Sequence, residues 1–244
     1  MATVVEEPIR AVPTPATVVC AGRSFTVADE AMQVNVPSWV VDLDSFRRWA
    51  ESDDVPEKLR VWYLKGEVWI DMGKQQIFSH LALKNAFNMV LGGLVQAEGI
   101  GLYVPDGLFL ANLAADVGGN PDATFISNAA LDSNRVRLIE GKKGGYVEVE
   151  GSPDMVLEVV SDSSVRKDDV VLRQAYWEGG IREYWLVDAR KEPLRFDILR
   201  HTAQGYKPTR KQDGWLKSVV FGKSFRLAQR LNKRGLPEFT LETR

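Results

Sequence analysis

Two Pro-Asp dipeptides open apolar, strand-like runs: Pro121-Asp122 in PDATFIS and Pro153-Asp154 in PDMVLEVVSDSS. Side chains two apart on a strand share a face, so Asp154, Val156, Glu158 and Val160 point one way and Met155, Leu157 and Val159 the other. Glu158 stands out, because a carboxylate inside an otherwise unbroken apolar strand is costly unless it is paired or bound to a cation. One solution is an ion pair with Arg173 or Arg182 on a neighbouring element; the other is a metal ion. Spacing alone leaves both open. Asp154, at the strand mouth behind a proline, reads as a turn or cap residue first and as a ligand second. Two carboxylates on adjacent strands, in an oxygen-only environment, suit Mg²⁺, which prefers oxygen ligands and keeps several waters. Such an ion polarises a phosphodiester and lowers the pKa of an attacking water. A nearby lysine would stabilise the negative charge that develops.

Other chemistries lack their residues. The sequence has no GxSxG elbow, Walker-type phosphate loop, GxGxxG turn or CxxC pair. Its two histidines, His80 and His201, are too few for a zinc site built on several imidazoles. The single cysteine, Cys20, cannot form an internal disulfide, which fits a reducing compartment. No apolar run approaches the ~20 residues that cross a bilayer, and Glu6 and Glu7 interrupt anything resembling a secretory signal. The expected setting is the cytoplasm, with no membrane partner.

Net charge is −2, so the chain as a whole does not advertise nucleic-acid binding. The distribution is uneven, however. Between Arg190 and Lys217 lie eight Lys or Arg against Glu192, Asp197 and Asp213, a local surplus of five positive charges. A solvated strand face explains it, and so does a phosphate-contacting rim beside an acidic centre.

The elements that must position these residues follow from periodicity. Residues 1–35 lack sustained periodicity and read as a poorly ordered N-terminal arm; residues 36–244 read as a single domain. Asp42 or Asp44 can cap a short helix through Phe46 and Trp49. Leu59–Leu64 and Glu67–Met72 flank Lys65-Gly66, a two-residue hairpin turn. Residues 77–98 form the clearest helix, with His80, Leu83, Phe87, Val90 or Leu91, and Leu94 on one stripe and Gly99 and Gly101 at its end. Short strands follow at 102–104, 108–112 and 123–127, then a Gly- and Lys-rich turn at 141–145. After strand 155–160, Ser163 or Ser164 caps a helix closed by Gly179-Gly180, and Ile181–Asp188 is the next strand. Leu194–Leu199, Tyr206–Arg210 and Leu216–Phe221 read as a C-terminal β-meander. The order is neither regular βαβ nor all-β, so the expected fold is mixed α/β: a central mixed sheet flanked by helices.

SPDMVLEVVSDSS, VRKDD and LRQAYWEGGIREYWLVDAR together resemble the signature of the Uma family of restriction-endonuclease-like proteins, within the PD-(D/E)XK nuclease-like superfamily. GEVWIDM, the helix opening with His80, and PDATFIS resemble its upstream blocks, so the likeness spans about residues 60–228. The resemblance implies a nuclease fold and a DNA endonuclease that hydrolyses phosphodiesters with Mg²⁺, or Mn²⁺ in its place. It places the two metal-binding acids at Asp122 and Glu158. The motif lysine would stand at position 160, which is Val160 here, so the cation is expected from the next helix: Lys167 at its start, or Arg173 a turn further on. Gln75-Gln76 stand where the family pattern has a glutamate. His80, on an apolar stripe, is expected as a buried structural residue first and a site residue second, and Asp106 in VPDG as a turn residue beside the site. Homodimerisation is left open. The competing functional reading, motivated by Gln75, Val160 and the acidic pI, is a catalytically impaired member that kept the fold as a DNA- or protein-binding or regulatory module.

Overall fold

The computed structural model describes residues 17–28, 33–56, 59–73, 75–142 and 144–244. In chain order the elements are β1 (Thr17–Cys20), β2 (Phe25–Ala28), β3 (Gln33–Val36), α1 (Leu43–Ala50), β4 (Arg60–Leu64) and β5 (Glu67–Asp71). A π-turn (Ile77–Ala82) then runs into α2 (Leu83–Glu98), followed by β6 (Gly101–Pro105), β7 (Phe109–Asn112), β8 (Val117–Gly119), β9 (Ala123–Ser127) and α3 (Asn128–Asp132). Next come β10 (Val136–Glu140), β11 (Tyr146–Gly151), β12 (Met155–Val159), a second π-turn (Lys167–Leu172) and α4 (Arg173–Glu178). The chain ends with β13 (Glu183–Asp188), β14 (Arg195–Thr202), β15 (Gly205–Pro208), β16 (Leu216–Lys217), β17 (Ser224–Leu231) and β18 (Pro237–Thr243).

The sheet that matters for the site has the order β15-β14-β13-β12-β9-β6. In it β12 and β13 are parallel and the other pairs antiparallel. A parallel pair needs a crossover; here it is the Ser-rich turn, the second π-turn and α4. β12 is apolar at every position but 158 because it is covered on both faces. Met155, Leu157 and Val159 share a core with Leu83, Phe87, Leu91 and Val95 of α2. Val156 and Val160 pack on the other side with Leu172, Tyr176 and Tyr184, and with Trp62 and Trp69 of the hairpin β4–β5. That hairpin turns at Lys65 and Gly66, both at positive φ (51° and 88°), as a two-residue turn of this twist requires.

The hairpin belongs to a second sheet, β1-β5-β4-β8-β7-β11-β10, which holds α1 through a third core containing Phe46, Trp49, Tyr63 and Phe109. Asp42 and Ser45 cap α1 reciprocally, with Ser45 N donating to Asp42 Oδ1 at 2.8 Å. The fold is thus mixed α/β with helices packed on a mixed sheet, as the sequence predicts.

Two expectations change in detail. Where it is described, the segment expected as an irregular arm contains strands: β1 pairs with β5 and β2 with β3. Their alternation is only four residues long in each case, too short to stand out as periodicity. Residues 1–16 lie outside the described part. The C-terminal meander is the antiparallel trio β16-β17-β18, whereas β14 and β15 extend the central sheet. No helix among the described residues is long and apolar enough to cross a membrane.

Candidate active site

The register of β9 against β12 pairs Thr124 with Val156 and Ala123 with Leu157. One step further, Asp122 falls beside Glu158, and directly opposed residues of an antiparallel pair point to the same face. Both side chains are buried, Asp122 4% and Glu158 2% exposed. They line one small cavity of about 10 Å³ together with Arg60, Trp62, His80, Ser164, Lys167 and Asp168. That volume is room for about one water-sized particle.

Asp122 is held from three sides. Its Oδ2 accepts from Val159 N at 2.7 Å and lies 3.7 Å from His80 Nε2; its Oδ1 lies 3.3 Å from Lys84 Nζ. Burial acts to raise its pKa, but His80, Lys84, the Val159 N–H and Arg60 together hold it below the usual carboxylate range. Burial depresses His80 itself, with Asp122 and Lys84 pulling in opposite directions. A depressed imidazole is neutral at neutral pH, so Lys84 and Arg60 are the cations that keep Asp122 ionised there. His80 Nδ1 meets Gln75 Oε1 at 3.0 Å.

Glu158 is the opposite case. Burial drives its pKa well above the ordinary value, reinforced by Asp168 and Asp122 and opposed by Lys167 and the Tyr176 hydroxyl. Tyr176 Oη donates to Glu158 Oε1 at 2.9 Å; the second oxygen accepts no hydrogen bond among the described residues. Two carboxyl groups side by side, one pushed down and one pushed up, thus differ in how readily they ionise, in a cavity that Asp71 and Asp168 also line.

Lys167 is 2% exposed. Its ammonium bonds Asp168 and sits 4.0 Å from the centroid of the Trp62 ring. Burial acts to lower its pKa, but Asp168 and Glu158 outweigh that and raise it, so the group stays charged. Asp168 is raised by burial against the pull of Lys167 and Ser164, and its backbone carbonyl accepts from Tyr184 Oη at 3.0 Å.

The structure therefore brings Asp122, Glu158, Lys167 and His80 to one cavity, with Asp106 one contact away: its carboxylate lies 2.5 Å from Lys84 Nζ. It leaves out the other two. Arg173 donates to the Tyr206 carbonyl at 3.4 Å. Asp154 sits at the far end of β12, fully buried, where it accepts from Ser127 N at 2.8 Å and pairs with Arg135 at 2.6 Å and Arg182 at 3.1 Å. It is neither a simple turn residue nor a cavity residue but a buried anchor between β9, β10 and β12. The two arginines expected as ion-pair partners of Glu158 are thus engaged elsewhere.

Sequence reasoning missed Lys84, Asp168 and Asp71. Lys84 follows His80 by four residues, the spacing that puts two side chains on one helical face. Asp71 ends the WID run of β5, pairs with Arg60 at 3.1 Å and accepts from Ser163 Oγ at 3.0 Å. It ties the hairpin to the turn after β12.

Among the described residues no three His, Cys, Asp or Glu side chains converge as a metal cage. Glu158, with one oxygen unused, beside Asp122, whose oxygens face Val159 N and Lys84, nevertheless offers the oxygen donors that a hard divalent cation would need, its shell completed by water or substrate. A mixed sheet with an acid-bearing strand buried on both faces, and a lysine at the start of the crossover helix, has the restriction-endonuclease-like form. Residues 43–230 match the Uma2 family, described as "Putative restriction endonuclease". The chain belongs to that family. A crystal structure of "a putative nuclease belonging to DUF820" from Anabaena variabilis superposes with a TM-score of 0.55 at 17% identity, covering 75% of this chain and 91% of that one. At that identity the likeness is one of fold. No curated protein matches the sequence.

Proposed function

We propose that the chain is a Mg²⁺-dependent DNA endonuclease in which Asp122 and Glu158 hold the cation and Lys167 is the catalytic ammonium. The observation that carries this reading is the lining of one cavity by two carboxylates of divergent acidity and a buried, charged lysine. Bound Mg²⁺ would polarise the scissile phosphodiester and lower the pKa of an attacking water. Asp122, already ionised, supplies the first negative charge. Glu158 must give up its proton to supply the second, so cation binding releases a proton and tightens as pH rises. The Lys167 ammonium, oriented by Asp168 and the Trp62 face, stabilises charge developing on the phosphate oxygens.

One observation favours a second reading, a catalytically impaired binding module. Lys84 already neutralises Asp122, and Gln75, an amide, occupies the contact to His80. Plasmid and oligonucleotide cleavage with Mg²⁺, with Mn²⁺ and with EDTA separates the two. Cleavage that requires metal and disappears in Asp122→Asn supports the enzyme. DNA retention without cleavage in either metal supports the module.

A further inference from the structure

Beside the small cavity lies a larger cleft of about 490 Å³, within the range of small-molecule sites. Gln76, just before the first π-turn, and Phe78 within it line the cleft, with Asp162, Arg190 and Lys191 from beyond the ends of β12 and β13, and Phe239 of β18. β18 packs against that π-turn, which forms one continuous wall. Arg190 is fixed at the rim between Asp188 at 2.7 Å and Asp162 at 3.1 Å, one guanidinium shared by two carboxylates. Lys191 is exposed and makes no ion pair among the described residues. With Arg190 engaged, the Lys191 ammonium is the cation at the lip left to meet a ligand, while the walls offer two phenyl rings.

We propose that this cleft binds one unpaired nucleotide of a nucleic-acid strand, with the base against Phe78 and Phe239 and its phosphate at Lys191. The proposal rests on the nuclease reading for its link to the cavity, and it deepens that reading by naming the substrate: DNA with an unpaired nucleotide next to the cut. Three features point to this occupant. Only an unpaired base presents a π-face to a side chain, since duplex bases are stacked on each other. Lys191, which has no carboxylate partner among the described residues, can reach out to a phosphate. The π-turn spans both sites, with Phe78 in the cleft and His80 two residues later in the cavity, so a strand seated in the cleft delivers its neighbouring phosphate towards Asp122 and Glu158.

The test uses the full-length protein in EDTA, where nothing is cut. Its probes are a short oligothymidylate carrying one 2-aminopurine and a blunt duplex of equal length. We expect tighter binding of the single strand, with 2-aminopurine emission quenched as the base stacks. Phe239→Ala weakens binding about tenfold, the scale of one lost stacking contact, and restores the emission. Lys191→Gln, a surface change that leaves the fold intact, lowers the slope of log affinity against log salt by about 0.7, one phosphate contact on a single strand. Wild-type affinity and salt slope in both variants, preference for the duplex, or no binding of the single strand would each overturn the cleft. Cleavage of the same probes in Mg²⁺ is read separately. Cutting with unaffected variants removes the cleft and keeps the nuclease; cleft-dependent binding without cutting keeps the cleft and removes the nuclease.

Discussion

Glu158→Gln exchanges one oxygen for an amide at constant shape, and the surroundings of Glu158 set what that should cost. The Tyr176 hydroxyl at 2.9 Å can donate to the glutamine carbonyl as it does to the carboxyl. No arginine is stranded, because Arg182 pairs with Asp154 and Arg173 bonds a backbone carbonyl; Lys167 keeps Asp168. The loss near neutral pH should stay below about 1 kcal/mol, against the ~3–5 kcal/mol expected when half of a buried ion pair is removed. The pH dependence has a definite sign. Burial raises the Glu158 pKa well above 4.5, so the folded protein keeps a proton that the unfolded chain has released. Wild-type stability from this group therefore falls as pH rises from 4.5 towards the raised value. Glutamine has no proton to lose, so the variant gains on the wild type by up to about 1.4 kcal/mol per pH unit inside that window. Mg²⁺ should reverse the order, stabilising the wild type by mass action and leaving the variant where it was. Thermal melts of both proteins over pH, with and without Mg²⁺, alongside a cleavage assay, read all of this. A loss of several kcal/mol at neutral pH, with a gap between the two proteins that does not move with pH, would mean that Glu158 is ionised without any cation and balanced by Lys167. The metal-site argument would then fail.

Three further outcomes follow from the same geometry. Asp122→Asn should cost about 1–3 kcal/mol at neutral pH, because Lys84 keeps only Asp106; since the Asp122 pKa is depressed, the deficit should close as pH falls through its folded value, which acid melts would reveal. Lys167→Met leaves Asp168 buried without its cation, so cleavage should vanish and stability should fall by ~3 kcal/mol or more, the gap widening as pH rises past the already raised Asp168 value of the wild type, because losing Lys167 raises it further; a melting profile parallel to the wild type there would contradict it. Asp154→Asn weakens the anchor to Ser127, Arg135 and Arg182 and should cost roughly 2–3 kcal/mol while cleavage per folded molecule stays unchanged, and lost cleavage at an unchanged melting temperature would return Asp154 to the site.

The sequence makes some of this arrangement visible and hides the rest for identifiable reasons. An acid in a two-sided apolar strand is conspicuous because only one residue of β12 breaks the pattern. The stripe of α2 and the Lys65-Gly66 turn are local and equally plain. Partner choice is not local. Arg182 lies beside Asp154 rather than Glu158 because β13 runs parallel to β12, with Glu183 opposite Met155; antiparallel pairing would have reversed which end of β12 it reached. Lys84 reads as a solvated helix residue until α2 is laid across β9. β10, β11, β17 and β18 are hard to read as strands because glutamates, arginines and other polar residues interrupt their apolar ones, and few of their positions are fully buried.

The argument for chemistry over structure at this cavity is energetic. Replacing a buried ion pair with apolar residues of similar volume is often neutral or stabilising, so Lys167 and Asp168 are poor choices for holding β12 to its crossover helix. Their geometry is also costly to obtain. Adjacent residues of an α-helix point about 100° apart, yet Lys167 and Asp168 are 2% and 1% exposed. They sit together in a π-turn, an uncommon distortion found mostly at functional sites. The helix that carries His80 begins with another π-turn, of the same six-residue length. Two distorted helix starts thus aim His80, Lys167 and Asp168 at a cavity where the Asp122 pKa is held down and the Glu158 pKa is driven up. A scaffold shaped by stability alone gains nothing from that arrangement. The proposed cation site, in which one proton would give way to one cation, has a use for it.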